Sequence, residues 1–419
     1  MSVITPGYQP RLADGYLAEL LADFPAVMIT GPRASGKTTT ASQHVDQIVR
    51  LDEPGVAATY RADPDAALRR ASRPILLDEW QEVPDVLPAV KRCVDRDATP
   101  GQFVLTGSVR ADLLNETWAG TGRIVRMSMY PVAERERRLV AVNRPAFLSR
   151  LAFSGGYDLA VPDEPPNIDE YVALALRGGF PEVSYRDRSS RSRTIWLSSY
   201  LDDLVTRDAA GARDHPKDPV KLRRYIAALA LNNAGLPTET TLLRAANVNA
   251  KTATAYDQLL RNLYVLDIVP AWASNRLSRV TKQGKRYLID SGLASAAAGL
   301  DAAMILNDAD LTGRWFDGYA TAQLRPEVAL SHPRAALHHL RLEAGRREID
   351  LVVEVGASRV VGIEFKAGSA PDERDARHLF WLRDQLGDSF AAGAVVHTGP
   401  GIYPLGDRVY AVPLCAMWT

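Results

Sequence analysis

Gly31-Pro32-Arg33-Ala34-Ser35-Gly36-Lys37-Thr38 follows the apolar run Ala26-Val27-Met28-Ile29 and leads into a helix-compatible segment. Strand, glycine-rich loop and helix in that order make a cradle for nucleotide phosphates. Backbone N–H groups of such a loop point inward at the phosphates, and the helix N-terminus adds partial positive charge. Gly31 and Gly36 let the chain turn tightly and approach a ligand with no Cβ in the way. Lys37 is expected to reach the β- and γ-phosphates, and the Thr38 hydroxyl to sit on Mg²⁺. The competing reading is a turn that merely joins strand to helix.

A second motif weakens that alternative. Pro74-Ile75-Leu76-Leu77-Asp78-Glu79 reads as a buried strand ending in two carboxylates, and a continuous apolar run suits a strand covered on both faces of a parallel sheet. Asp78 is expected to hold the Mg²⁺ of Mg-ATP, and Glu79 to polarise the attacking water as general base. A third strand, Gln102-Phe103-Val104-Leu105-Thr106-Gly107-Ser108, ends in small hydroxyl residues.

The bulk properties bound the class. At 419 residues the chain is long enough for two to four domains. It is 46% hydrophobic and 24% charged, which is ordinary for a globular protein. Fifty basic and fifty acidic residues cancel, so whole-chain charge gives no support to a nucleic-acid or membrane partner, and only a local patch could supply it. Cys93 and Cys415 lack partners at metal-binding spacing and read as reduced thiols of a cytoplasmic protein. No secretory signal and no membrane span are expected, because the first residues lack a basic segment before an apolar core and no long apolar run occurs.

Along the chain, strands are expected near 26–30, 47–51, 74–78, 102–106 and 123–129, alternating with helices. That is an α/β pattern with a mainly parallel sheet, a P-loop NTPase core over residues 1–135. Residues 136–215 form a helical linker or lid, with a Pro/Asp-rich connector at Val161–Asn167 and a break at Gly178-Gly179-Phe180-Pro181. Residues 216–280 read as helix, turn, helix and β-ribbon, the order of a winged helix. Its second helix exposes Lys251, Thr252, Thr254, Gln258 and Arg261, interrupted by Asp257, which suits DNA contact no better than packing against a protein surface. Residues 281–419 return to α/β.

That last region holds a second candidate site. Asp350 lies in one expected strand, and Glu364 and Lys366 lie on one face of the next. Two carboxylates and a lysine from adjacent strands suit a Mg²⁺ site for phosphodiester hydrolysis, with Asp350 and Glu364 on the metal, Lys366 on the scissile phosphate and Asp317 as a further ligand from the preceding helix. The alternative is Glu and Lys paired on the wet face of an ordinary strand. His338 and His339 are adjacent on a strand, cannot share a metal, and read as surface residues.

These marks together resemble a broad bacterial and archaeal family of AAA+-type ATPases with a C-terminal restriction-endonuclease-like domain. They are Gly31-Pro32-Arg33 through Lys37-Thr38-Thr39, Leu77-Asp78-Glu79 with Gln81 and Pro84, and Leu105-Thr106-Gly107-Ser108. Gly178-Gly179-Phe180-Pro181-Glu182, Leu288-Ile289-Asp290-Ser291-Gly292-Leu293, and Glu348-Ile349-Asp350 with Glu364-Phe365-Lys366 complete the set. The resemblance implies an AAA+-like core, a winged-helix segment and a PD-(D/E)xK nuclease-like fold. It implies ATP and Mg²⁺ held by Gly31, Pro32, Arg33, Ala34, Ser35, Gly36, Lys37, Thr38, Thr39 and Asp78, with Thr106 or Ser108 sensing the γ-phosphate. It also implies DNA or RNA as a partner and assembly into a homo-oligomer. In that family the helix before the second site usually supplies Glu where this chain has Asp317, a shorter reach to a metal. A neighbouring subunit's arginine completes such ATP sites, and Arg123 is the candidate here, while Arg33 could touch phosphate within the loop. The alternative function is a nucleotide-driven switch or scaffold whose C-terminal domain binds protein partners without cutting.

Overall fold

The structure is a computed structural model that describes residues 7–107, 121–139, 144–156, 158–208, 218–237, 239–273, 283–342 and 345–419. Its first sheet contains β1 (Ala26–Thr30), β2 (Gln47–Arg50), β3 (Ile75–Asp78), β4 (Phe103–Gly107) and β5 (Val125–Ser128), in the order β2-β3-β4-β1-β5. Every pairing is parallel. β1, β3 and β4 are buried along their full length. Alternate residues feed two different cores: Met28, Leu77 and Leu105 pack on one face, and Val27, Leu76 and Val104 on the other. Both faces are therefore covered, as a parallel sheet requires. All five strands end at one edge, where ligands of open α/β sheets bind.

The middle of the chain is helical. The break at Gly178-Gly179 is built by three segments. Asp290 Oδ2 accepts the Gly179 N–H at 2.6 Å and Oδ1 accepts the Leu293 N–H at 2.7 Å, capping the Ser291–Ala298 helix. Gly178 has φ +74°, and a Cβ there would lie 2.6 Å from Asp290 Oδ1. The Val132 N–H donates to the Gly179 carbonyl at 2.6 Å, tying this joint to the chain leaving β5. The helices Pro219–Leu231, Glu239–Ala246 and Ala250–Asn262 precede an antiparallel ribbon of β6 (Leu266–Val269) and β7 (Lys285–Leu288). The second strand of this ribbon lies past residue 280, so the boundary expected there falls inside the hairpin. Asp257 is turned inward, accepting from Tyr225 and Arg286.

The second sheet contains β8 (Ala335–Leu342), β9 (Arg347–Val355), β10 (Arg359–Phe365), β11 (Phe390–His397), β12 (Tyr403–Gly406) and β13 (Val409–Pro413), ordered β12-β13-β11-β10-β9-β8. β8, β9 and β10 form an antiparallel meander, and β11 returns parallel to β10 after the Arg377–Leu386 helix. The long helix Ala309–Ala329 precedes the meander. One apolar cluster runs from Phe147 to Trp418, so the helical middle and one face of this sheet share a core. His338 and His339 are both buried, against the expectation of a surface role. The reason is the edge of β8: the His339 N–H donates to the Pro270 carbonyl at 3.0 Å, and its Nε2 lies 3.0 Å from the Gln283 carbonyl. Burial pushes the His339 imidazole down to about 4.

Glu134-Arg135-Glu136-Arg137 joins the three regions. Glu136 binds Arg11, Arg135 binds Glu327 on the Ala309–Ala329 helix, and Glu134 binds Arg177. The Glu134 N–H also donates to Gln323 Oε1 at 2.7 Å. Asp290→Ala removes a cap and a buried acceptor together, and is expected to cost about 2 kcal/mol of stability. A urea melt should show a lower midpoint. An unchanged midpoint would contradict the role given to this joint.

Candidate functional site

Register places the first site. Asp78 ends β3 and lies opposite Thr106 on β4, while Thr106 lies opposite Ile29 on β1. The chain leaving β1 thus enters the phosphate loop beside Asp78 and Thr106. The Thr38 hydroxyl donates to Asp78 Oδ1 at 2.8 Å, and the Thr106 hydroxyl donates to the same oxygen at 2.5 Å. Of the two hydroxyl residues left open at the end of β4, Thr106 is the one in this contact, and Ser108 lies outside the described residues.

The loop is shaped by its surroundings. A Cβ on Gly31 would collide with the Met129 carbonyl oxygen, so only glycine fits. Lys37 Nζ donates to the carbonyls of Gly31 at 3.1 Å and Pro32 at 2.8 Å, curling over its own loop. Burial pushes its ammonium down to about 8, against the opposing pull of Glu79 and Asp78. Ser35 donates to the Pro32 carbonyl at 2.9 Å. Arg33, Ala34 and Thr39 are exposed on the rim, with Ala34 at φ +57°. The helix behind the loop, Lys37–Ala41, is only five residues long. Its dipole is correspondingly small, so the positive charge of the loop comes mainly from the side chains of Lys37 and Arg33.

Glu79 follows Asp78 in a left-handed conformation at φ +52°, which turns its carboxylate away from the strand direction. Gln81 donates to Glu79 Oε2. Burial raises the Glu79 carboxyl, while Gln81 and Lys37 oppose the rise. A raised carboxylate close to Lys37 has the basicity that water activation needs. Arg123 is elsewhere. It precedes β5 at the opposite edge of the sheet, exposed, with Nε 2.6 Å from Asp95 Oδ1. The structure does not bring it to the loop of its own chain.

Two residues that the sequence reading passed over hold the loop from behind. Arg11 donates to the Ser35 carbonyl at 2.9 Å, to the Tyr130 carbonyl at 2.8 Å and to Glu136 Oε1 at 2.9 Å. Glu136 also accepts the Leu12 and Ala133 N–H groups. The only trace of this in the sequence is the Arg/Glu-rich stretch after residue 133. The loop residues, Thr38 and Asp78 fit Mg-ATP: a hydroxyl and a carboxylate meet beside a buried ammonium. The Mg²⁺ ion, when bound, would neutralise phosphate charge.

The second candidate site is arranged differently from the expectation. Asp317, Asp350 and Glu364 do converge, in a cleft of about 480 Å³ that Lys366 also lines. Glu364 is buried, which removes the reading of a wet strand face. Among the described residues, however, no group of three acidic, His or Cys side chains is placed to hold a metal. Lys285 of β7 enters instead, with Nζ 3.1 Å from Asp317 Oδ2 and 2.8 Å from Asp350 Oδ1. Burial alone would push that ammonium down, but the two carboxylates more than offset it and hold it well above the usual lysine range. Burial and the neighbouring Asp350 push the Glu364 carboxyl well above its usual range. The residues present therefore do not fit a divalent metal in this arrangement. No sequence motif marked Lys285, because its role depends on the ribbon reaching across to the sheet.

Comparisons with known proteins match three stretches of the chain. Residues 23–137 match a family described as an AAA domain. Residues 168–303 match one described as Domain of unknown function (DUF8612), and residues 312–417 one described as Domain of unknown function (DUF4143). Uncharacterized proteins of Mycobacterium bovis and Mycobacterium tuberculosis are each 30% identical over 412 residues, spanning 96% of this chain and 83% of the relative. Among solved structures, a Walker-type ATPase of Pyrococcus abyssi is similar with a TM-score of 0.43 and 12% identity, over 70% of this chain and 96% of that one. No helix among the described residues is long and apolar enough to cross a membrane.

Phosphate charge beside Lys37 favours its protonated form. ATP association should therefore take up protons near pH 9. Affinity should be full below pH 8 and fall above it by up to about tenfold per pH unit. Calorimetry at pH 9 in two buffers of different ionisation enthalpy should give different heats. Identical heats would remove the proton uptake.

Proposed function

The chain belongs to the same family as these mycobacterial proteins and carries an AAA domain near its N-terminus, and on that premise we propose that it is a Mg-dependent ATPase. Its nucleotide state is passed to the C-terminal domain. The observation that carries this reading is the shared acceptor: Asp78 receives the hydroxyls of Thr38 and Thr106 at the ends of adjacent strands. Lys37 leaves the loop carbonyls for phosphate. Thr38 and Asp78 are the residues that would hold Mg²⁺. Glu79 orients and deprotonates the attacking water, and Thr106 links the phosphate end of the site to the Mg²⁺ ligand. Arg33 sits on the loop rim within reach of phosphate charge. An arginine from a second copy completes the site in a homo-oligomer, and Arg123 serves only if it releases Asp95.

The route outward runs through buried ionic contacts. Arg11 holds the loop at Ser35, and Glu136 holds Arg11. Arg135 and Glu134, one and two residues earlier, hold the Ala309–Ala329 helix and Arg177. A shift at the loop therefore meets residues of the other domains within a few contacts.

For the C-terminal domain, the order of helix, antiparallel meander, helix and parallel strand supports a restriction-endonuclease-like fold, and the placement of Asp350, Glu364 and Lys366 supports a nucleic-acid-directed role. Lys366, Arg314, Arg374 and Arg377 line the same cleft and would meet phosphate backbone. The second reading, a switch that binds protein partners without cutting, is favoured by one observation: Lys285 pairs with the carboxylates that cutting would need.

Lys37→Ala is expected to abolish ATP association. Glu79→Gln should keep it while phosphate release falls about 10²- to 10⁴-fold. Hydrolysis at the wild-type rate in Glu79→Gln would remove Glu79 as the base. Nucleic-acid binding that weakens steeply with salt, and weakens further in Lys366→Ala, supports the first C-terminal reading. Absence of binding at low salt supports the second.

A further inference from the structure

We propose that the C-terminal acid cluster is built around a cation of the chain's own: the Lys285 ammonium fills the position between Asp317 and Asp350 where a divalent metal would be expected. The assignment stands apart from the ATPase reading, since it concerns contacts wholly outside the N-terminal domain.

The oxygens of the two aspartates decide the point. Asp350 Oδ1 accepts from Lys285 Nζ at 2.8 Å, and Asp350 Oδ2 accepts the Phe365 N–H at 3.0 Å. Asp317 Oδ2 accepts from Lys285 Nζ at 3.1 Å, and Asp317 Oδ1 accepts the hydroxyls of Tyr287 and Thr321, each at 3.1 Å. All four oxygens are engaged with donors of this chain. A divalent ion takes oxygen ligands at about 2.0–2.6 Å and would lie against the ammonium. Among the carboxylate oxygens of Asp317, Asp350 and Glu364, Glu364 Oε1 is the one buried without a hydrogen bond, and one oxygen does not make a metal site. The Lys285 side chain is 2% exposed, so the two carboxylates rather than water compensate its charge.

The ribbon brings Lys285 to this place for a structural reason. Lys285 and Tyr287 are two residues apart on β7 and so share one face, and both reach Asp317. β7 is fixed by its ladder with β6, where Lys285 lies opposite Val269. The cluster is thus a lock among the ribbon, the Ala309–Ala329 helix and β9. Breaking a buried pair by removing one partner is strongly destabilising, because it leaves an uncompensated charge. The same helix that carries Asp317 carries Glu327, the partner of Arg135 in the ionic hub. Lys285 thereby ties the ribbon to this helix and to the C-terminal sheet.

Thermal melting of the nucleotide-free full chain, with and without millimolar Mn²⁺, tests this. Wild type should melt at the same temperature in both, and Asp350→Asn should melt lower than wild type and also ignore Mn²⁺. Lys285→Met, which keeps the stem and removes the charge, should melt lower than wild type and gain a Mn²⁺-dependent rise. Asp350→Asn added to it should remove that rise. A Mn²⁺-dependent rise in wild type that Asp350→Asn abolishes would overturn the proposal, as would a folded Lys285→Met chain with no rise. Should Lys285→Met fail to fold, wild type and Asp350→Asn still decide between the two.

Discussion

One carboxylate organises the N-terminal domain. Asp78 receives hydroxyl hydrogens from the phosphate loop at Thr38 and from the neighbouring strand at Thr106. Neither contact survives a slip of one residue in the β3–β4 register, because a slip would turn the side chains to opposite faces. The register is held by β1, β3 and β4, which are buried along their full length. Burial in the sheet thus sets the distance between loop and carboxylate. The same burial lowers the Lys37 ammonium and raises Glu79, so one physical cause tunes two groups of the site in opposite directions.

Buried charge also connects the parts of the molecule. Arg11 with Glu136, Arg135 with Glu327, and Lys285 with Asp317 are each nearly withdrawn from water, while Asp350, the second partner of Lys285, is part-buried. Such pairs add little net stability over apolar packing, but each is costly to break one partner at a time. They therefore favour discrete arrangements over gradual drift. Two of these pairs lie on the Ala309–Ala329 helix, at Asp317 and Glu327, and that helix is the element through which the ATPase core and the ribbon are both held. Spatial continuity of this kind is the physical path along which the proposed coupling would run. Its energy is a separate quantity that variants must measure.

Much of this was legible in the sequence where local pattern and chemistry coincide. The apolar runs before Gly31 and Asp78, the glycines at the loop, and the alternation of β9 and β10 each carry their meaning within a few residues. Gly178-Gly179 was readable as a break, since the backbone conformation at Gly178 admits little else. What escaped reading depends on contacts distant in sequence. Arg11 and Glu136 are 125 residues apart, and neither lies in a motif. His338 and His339 read as surface residues because neighbours on a strand point to opposite faces and cannot share a metal, yet the chain at Pro270–Trp272 covers the edge of their strand. Lys285 lies in no motif, and only the fold sets it against two aspartates. The expected metal ligands did come together, but the charge that balances them comes from the protein itself.

The central claim is that the loop at Gly31–Thr38 holds a triphosphate together with Mg²⁺ through Lys37, Thr38 and Asp78. Titration of ATP into the nucleotide-free wild-type chain, once with Mg²⁺ and once with EDTA, addresses it most directly. The account predicts saturable association at one site per chain with Mg²⁺ and clearly weaker association with EDTA. No association in Mg²⁺, or equal affinity in both, would contradict it.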